Sequence, residues 1–192
     1  RVLFRSTFTG ATSTSGSPIL VLRNTTADAN AGIVRVQKSR TSGTTSSGDS
    51  LGVFSWQSHD GTSYSDAAQA EAISDGASSA GSTPGAIRFS TTPSASTTLV
   101  ERMRITNAGV VFVGNGETAA SPTASSIRGT GGSGTNIAGA NISIYGGAGT
   151  GTGVGGNVSI YTALAGASGS SANTPTERVR VDQNGFLTLQ SG

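Results

Sequence analysis

Apolar residues in this chain come in short runs, often alternating with polar ones, and clusters of Gly, Ser, Asn or Pro separate the runs. They are RVLFRSTF (1–8), ILVLRN (19–24), GIVRVQKS (32–39), LGVFSWQS (51–58), GAIRFST (85–91), LVERMRIT (99–106), GVVFVG (109–114), SIRGT (126–130), NISIYG (141–146), NVSIYT (157–162), ERVRVD (177–182) and GFLTLQ (185–190). Enrichment in Val, Ile and aromatic residues with turn-forming flanks predicts strands. No segment sustains a 3.6-residue period. The one helix candidate, SDAAQAEAIS (65–74), has Ser65 or Asp66 as a possible N-cap, but its Ala68/Ala70/Ala72 alternation fits a strand equally well, and we read it as one.

One pattern occurs twice. ERMRITNAGVVFVG (101–114) and ERVRVDQNGFLTLQ (177–190) place Glu101 and Glu177, Arg104 and Arg180, and Gly109 and Gly185 each 76 residues apart. Strict alternation predicts Leu99, Glu101, Met103 and Ile105 on one face, with Val100, Arg102, Arg104 and Thr106 on the other. TNAG (106–109) and DQNG (182–185) each end in a Gly able to take the left-handed conformation, which suits a type I turn with a Gly bulge. Each unit reads as a β-hairpin, and its recurrence points to a repeated module.

A shorter repeat lies between them: SIRGTGG (126–132), SIYGGAG (143–149) and SIYTALA (159–165). At roughly 25 cal/mol per Å2, the few apolar residues of such a unit cannot offset its ordering entropy. The unit needs neighbours. Either successive turns stack as a single-chain solenoid, or identical strands of several chains pack around a shared axis, where abundant Gly permits close backbone approach.

Composition narrows the classes. Gly, Ser and Thr make 85 of 192 residues, against 37 for Leu, Ile, Val and Phe. The net charge is only +2, so the chain lacks the high charge of a disordered polymer. Eleven of twelve basic residues are Arg, and none cluster beyond Arg102/Arg104 and Arg178/Arg180, so nucleic-acid binding is not supported. There is no Cys for a disulfide or thiolate metal site, and no apolar run of membrane-spanning length. The opening RVLFRST lacks a signal peptide's layout and reads as the inside of a strand, so we expect a fragment of a longer polypeptide.

The stretch PGAIRFSTTPSASTTLVERMRITNAGVVFVG (84–114) resembles the recurring module of bacteriophage tail fibre proteins: an F-x-T-T strand, a variable loop, E-R-M-R-I, a Gly turn and a closing strand. LGVFSWQSHDGTSYSDAAQAEAISDGAS (51–78) is similar to the strand-rich part that precedes that module, and 126–165 to glycine-rich inserts of the same fibres. The second copy departs from the pattern at Val179 and in DQN before its Gly. The resemblance implies an elongated homotrimer of intertwined chains. Many such fibres end in a self-cleaving chaperone domain; nothing here matches one, which would lie downstream of Gly192.

G-x-G-x-x-G occurs at Gly129/Gly131/Gly134 and Gly151/Gly153/Gly156, but neither match opens a helix, as dinucleotide binding requires. His59, the only histidine, sits in QSHDGTSY beside Asp60 and is read as a loop residue rather than a triad member. The ten acids are scattered, and the close pairs Asp60/Asp66 and Glu71/Asp75 read as solvated surface, which leaves polysaccharide cleavage unsupported. Trp56 and Tyr64 around His59 and Asp60 form the one aromatic-polar cluster that could stack on a sugar, against packing of Trp56 into a local core. Glu101 and Glu177 are expected to pair with Arg of a neighbouring chain, fixing register.

The resulting expectation is an all-β, elongated, intertwined homotrimeric fibre built from short strands, hairpins and Gly/Ser/Thr-rich loops. Its parts are an N-terminal segment (1–50), a fibre module (51–116), a Gly-rich segment (117–170) and a second hairpin module (171–192). The expected role is structural, in a virion's extracellular tail fibre. Partners would be copies of the chain, other tail or baseplate proteins and a host surface glycan, with no enzyme activity, cofactor, metal, nucleic acid or membrane insertion. The alternatives are a bacterial surface adhesin or stalk with a carbohydrate-binding domain, and a polysaccharide-depolymerising tailspike.

Overall fold

The computed structural model describes residues 34–41 and 43–190, so the runs predicted at 1–8 and 19–24 lie outside it. The described residues form eight strands, all paired antiparallel, and no helix. The fold class is all-β. The chain divides into two compact units between Ser125 and Ser126.

The first unit is a five-stranded meander with strands in chain order: β1 (Ser50–His59), β2 (Tyr64–Ser74), β3 (Gly85–Thr91), β4 (Val100–Ile105) and β5 (Val111–Val113). The alanine-rich stretch lies in β2, between Trp56 and Thr91, the cross-strand partners of Ala68. At the β1–β2 turn, Oδ1 of Asp60 accepts the Thr62 and Ser63 amides at 2.7 and 2.8 Å. An Asp folded back on its own backbone is what makes this turn tight. Residues 34–39, expected to be a strand, join no ladder.

Directly paired residues share a sheet face, so the register defines two faces. One carries Phe54, Trp56, Ala68, Ala70, Ala72, Ile87, Phe89, Met103, Ile105, Val111 and Val113. The other carries Ser55, Gln69, Glu71, Arg88, Ser90, Glu101 and Arg104, together with Ile73 and Ala86. Ile73 and Ala86 are the only buried apolar residues among those described, and they lie on the polar face.

The second unit holds β6 (Val158–Thr162), β7 (Thr176–Val181) and β8 (Leu187–Leu189), an antiparallel meander in the order β6-β7-β8. Its faces divide in the same way. Val158, Ile160, Val179, Val181, Leu187 and Leu189 share one side, with Ser159, Arg180 and Thr188 on the other.

The strands predicted at 126–130 and 141–146 are not strands. In a β-ladder the Cβ stands away from the neighbouring backbone. Here a Cβ built on Gly129, Gly132, Gly146 or Gly149 would lie 2.1–2.3 Å from the carbonyl oxygen of Ala140, Ile137, Gly156 or Gly153. The segments 129–132 and 137–140, and likewise 146–149 and 153–156, are thus paired arms that meet through their glycine Cα faces, a contact unlike β-pairing. Their side chains have no sheet to lie against, which leaves Ile127, Ile144 and Tyr145 exposed.

The turns that close the two meanders make matching bonds. The Gly109 amide donates to the Thr106 carbonyl at 3.0 Å and the Thr106 amide to the Val110 carbonyl at 3.0 Å; the corresponding bonds of Gly185, Asp182 and Phe186 are 3.0 and 3.1 Å. Gly109 and Gly185 have φ of +76° and +81°, the left-handed region that disfavours side chains. Replacing either by Ala is expected to cost about 1 kcal/mol, since no neighbour obstructs the added Cβ and only the backbone strain acts. A shift of the urea midpoint at unchanged slope would register it.

Candidate functional site

The repeated Glu-Arg motif sits on a β-bulge. Phe89 pairs with Met103 but Ser90 with Glu101, leaving Arg102 as the extra residue. In β7, Ile160 pairs with Val179 but Tyr161 with Glu177, leaving Arg178 extra. A bulge shifts the alternation by one residue. Glu101 and Arg104 consequently share a face, with Val100, Met103 and Ile105 on the other, which corrects the split expected from strict alternation.

Both bulged arginines are held alike. The Arg102 carbonyl accepts the Gly114 amide and the Arg178 carbonyl the Gln190 amide, each at 2.9 Å. Their Nε atoms donate to Thr91 at 3.0 Å and Thr162 at 3.3 Å.

The shared face lets the motif close within one chain. Arg104 donates through Nε and Nη2 to both carboxylate oxygens of Glu101, each at 2.8 Å, and lies 3.2 Å from Glu117. Arg88 reaches Glu71 at 2.6 Å and approaches Glu101 at 4.0 Å. The side chains of Glu101 and Arg104 are 12% and 16% exposed, so the ladder is shielded. The Glu101 hydrogen bonds hold the Arg104 guanidinium above its ordinary range, against a smaller opposing effect of burial. In the second unit Arg180 lies 3.7 Å from Glu177 and is 38% exposed, a looser pair. Glu101 and Glu177 thus each find an arginine within their own chain.

The aromatic-polar cluster is divided. His59 pairs with Tyr64, their rings edge-to-face at 4.8 Å, and Asp60 shapes the adjoining turn. Trp56 lies on the apolar face with Phe54, while the register puts His59 and Tyr64 on the opposite face. Trp56 is 58% exposed, so it does not fill a core within the chain as described. The structure therefore brings three of the four residues together and leaves Trp56 apart. No group of three metal-ligating side chains occurs among the described residues.

What sequence reasoning missed is the uncovered apolar face. Phe54, Trp56, Ile87, Phe89, Ile105, Val111 and Val113 are all exposed, as are Ile160, Val181, Leu187 and Leu189 in the second unit. A groove of about 480 Å3 on the first unit is lined by Val34, Val36, Phe54, Ala70, Ala72 and Ile87 among others. Val36 lies over Gly52, where an added Cβ would come within 2.9 Å of it. The signal was readable only with the bulge in place, since strict alternation puts Glu101 among these apolar residues.

Three aspartates give the first unit an acid sensitivity. The Arg40 hydrogen bond, at 2.6 Å, and the Ser46 amide hold Asp49 well below the usual carboxylate range. The Ser63 and Thr62 amides lower Asp60, and the Ser55 hydroxyl and Gln57 amide lower Asp66. A carboxyl with a depressed folded pKa contributes fully above its unfolded value and loses that contribution as pH falls through the folded one. Stability should be flat from neutral pH to about 5 and decline below about 4, the ordinary carboxylate range. Urea midpoints across pH would show this, with Asp49→Asn flattening the decline.

No family model matches the chain, and no curated protein matches it. Solved structures do. The carboxy-terminal domain of the bacteriophage T5 L-shaped tail fibre aligns over 86% of this chain and 88% of its own, with a TM-score of 0.50 and 16% identity. The same domain solved with its intramolecular chaperone domain aligns over 90% of this chain, with a TM-score of 0.51 and 15% identity. The chain spans 62% of the length of that second structure. At such identity the likeness is one of fold: this all-β chain shares its architecture with a phage tail fibre domain.

Proposed function

We propose that this chain is a structural, non-enzymatic segment of a phage tail fibre, a homotrimeric virion component that spaces the particle from its host and supports attachment. The observation that carries the reading is the fold shared with the T5 tail fibre domain over most of both chains. The repeated bulged hairpin fits a fibre built by reiterating one module. Host glycan contact, if this segment makes it, falls to the exposed β1–β2 tip with His59, Asp60 and Tyr64. Other tail or baseplate proteins are its further expected partners.

Immunogold labelling with antibodies to this segment tests the proposal, using the phage and the host cells. Label along the tail fibres of virions is expected. Label confined to uninfected host envelope would overturn it in favour of a bacterial surface adhesin, and turnover of host polysaccharide by the purified chain would overturn the non-enzymatic assignment.

A further inference from the structure

We propose that the apolar faces of both sheets are contact surfaces for further copies of this chain, and that the Glu-Arg ladder faces outward. The proposal rests on the fibre reading and adds which side of each sheet meets the partner. Three observations select a second copy as the occupant.

The first is area. The exposed apolar side chains leave roughly 600 Å2 open on the first sheet and about 400 Å2 on the second, judged from typical side-chain areas. A stable interface takes about 800 Å2 from each partner, and the largest patch on a monomer is ordinarily about 300–600 Å2. Each patch alone lies within that monomer range, but together, at about 1,000 Å2, they exceed what one partner contributes to a stable interface.

The second is the missing core. With Ile73 and Ala86 as the only buried apolar residues described, the sheets lack the apolar burial that an independent domain of this size requires. A chain that depends on a partner to fold needs one produced in equal amount with itself. A copy of the chain meets that condition.

The third is sidedness. The bulges at Arg102 and Arg178 put the Glu-Arg pairs of both meanders on one face, where each glutamate has an arginine of its own chain. Among the described residues, the opposite face carries no charged strand residue apart from Arg102 and Arg178, whose Nε atoms already bond to its Thr91 and Thr162. The same division in both units makes the apolar surface a repeated feature of the chain.

Phe54 and Ser55 are adjacent, both exposed, and on opposite faces of β1. Phe54→Lys is expected to reduce the native mass from an assembly to a single chain, and Ser55→Lys to leave it unchanged. Leu187→Lys against Thr188→Lys asks the same of the second unit. Because a lysine could also prevent folding, unsubstituted protein supplies a second readout. Trp56, the only tryptophan, should be shielded from a soluble quencher in the assembly and become open on dilution to single chains.

An assembly that survives Phe54→Lys and Leu187→Lys would overturn the proposal while leaving the fibre reading intact. A single chain with Trp56 shielded would overturn it by showing that the chain's own residues cover the face. A folded single chain with Trp56 open would overturn both.

Discussion

Gly129→Ala, Gly132→Ala, Gly146→Ala and Gly149→Ala are each expected to destabilise the second unit by about 3 kcal/mol, the upper end of what overpacking costs. The obstruction is main chain. Each added Cβ would fall 2.1–2.3 Å from a carbonyl oxygen of the opposing arm, so relief requires the arms themselves to separate. Side-chain rotation cannot help. Gly131 and Gly147 are the matched controls, with open space at the Cβ position and no left-handed backbone angle. Alanine at either is expected to change stability by no more than about 0.5 kcal/mol. Hydrogen exchange at the Ala140 and Gly156 amides, which bond to Thr130 and Gly147 across the arms, would report the opening directly. Equal effects at all six glycines would show that backbone contact between the arms is not what the glycines serve.

Glu101→Gln should cost about 2 kcal/mol. It keeps the size of the side chain but removes the charge that Arg104 meets with two hydrogen bonds and Arg88 approaches from β3. Two guanidinium groups would then share a shielded face with too little counter-charge, which is costlier than lacking the pair altogether. Double substitution of Glu101 and Arg104 by Gln and Met should therefore be less damaging than Glu101→Gln alone. Glu177→Gln is expected to cost under about 1 kcal/mol, because Arg180 is more exposed and its contact longer. Urea unfolding of these three variants, of Arg104→Met and of the unsubstituted chain checks both the order and the cycle. Equal losses at Glu101 and Glu177 would contradict the difference in burial.

Much of the fold was legible in the sequence where side-chain period and turn chemistry agree. GAIRFST, ERMRI and ERVRV alternate, and TNAG and DQNG carry the glycine that their turns require, so β3, β4 and β7 fall where the pattern puts them. The alanines of β2 kept their alternation although alanine favours helix, because partners on both sides override local preference. The bulges were not legible. ERMRI alternates without a break, and nothing in the run marks Arg102 as extra. A usable clue was the odd spacing of Glu101 and Arg104, repeated in Glu177 and Arg180: opposite charges three apart meet only if the strand is bulged. The arms misled for a different reason. Short apolar runs beside glycine look like strands, but here the glycines carry the contact and the isoleucines point away from it.

Legibility of the candidate site followed the same division. His59, Asp60 and Tyr64 are neighbours because one tight turn joins them, whereas a single face change along β1 separates Trp56 from them. The apolar face is a property of five strands in register, and no single run reveals it.

The central claim, that this chain is a fibre segment completed by copies of itself, is tested most directly by native mass from light scattering together with frictional shape from sedimentation. The account predicts three chains in one elongated particle, in which Trp56 is shielded. A compact, folded single chain would contradict it.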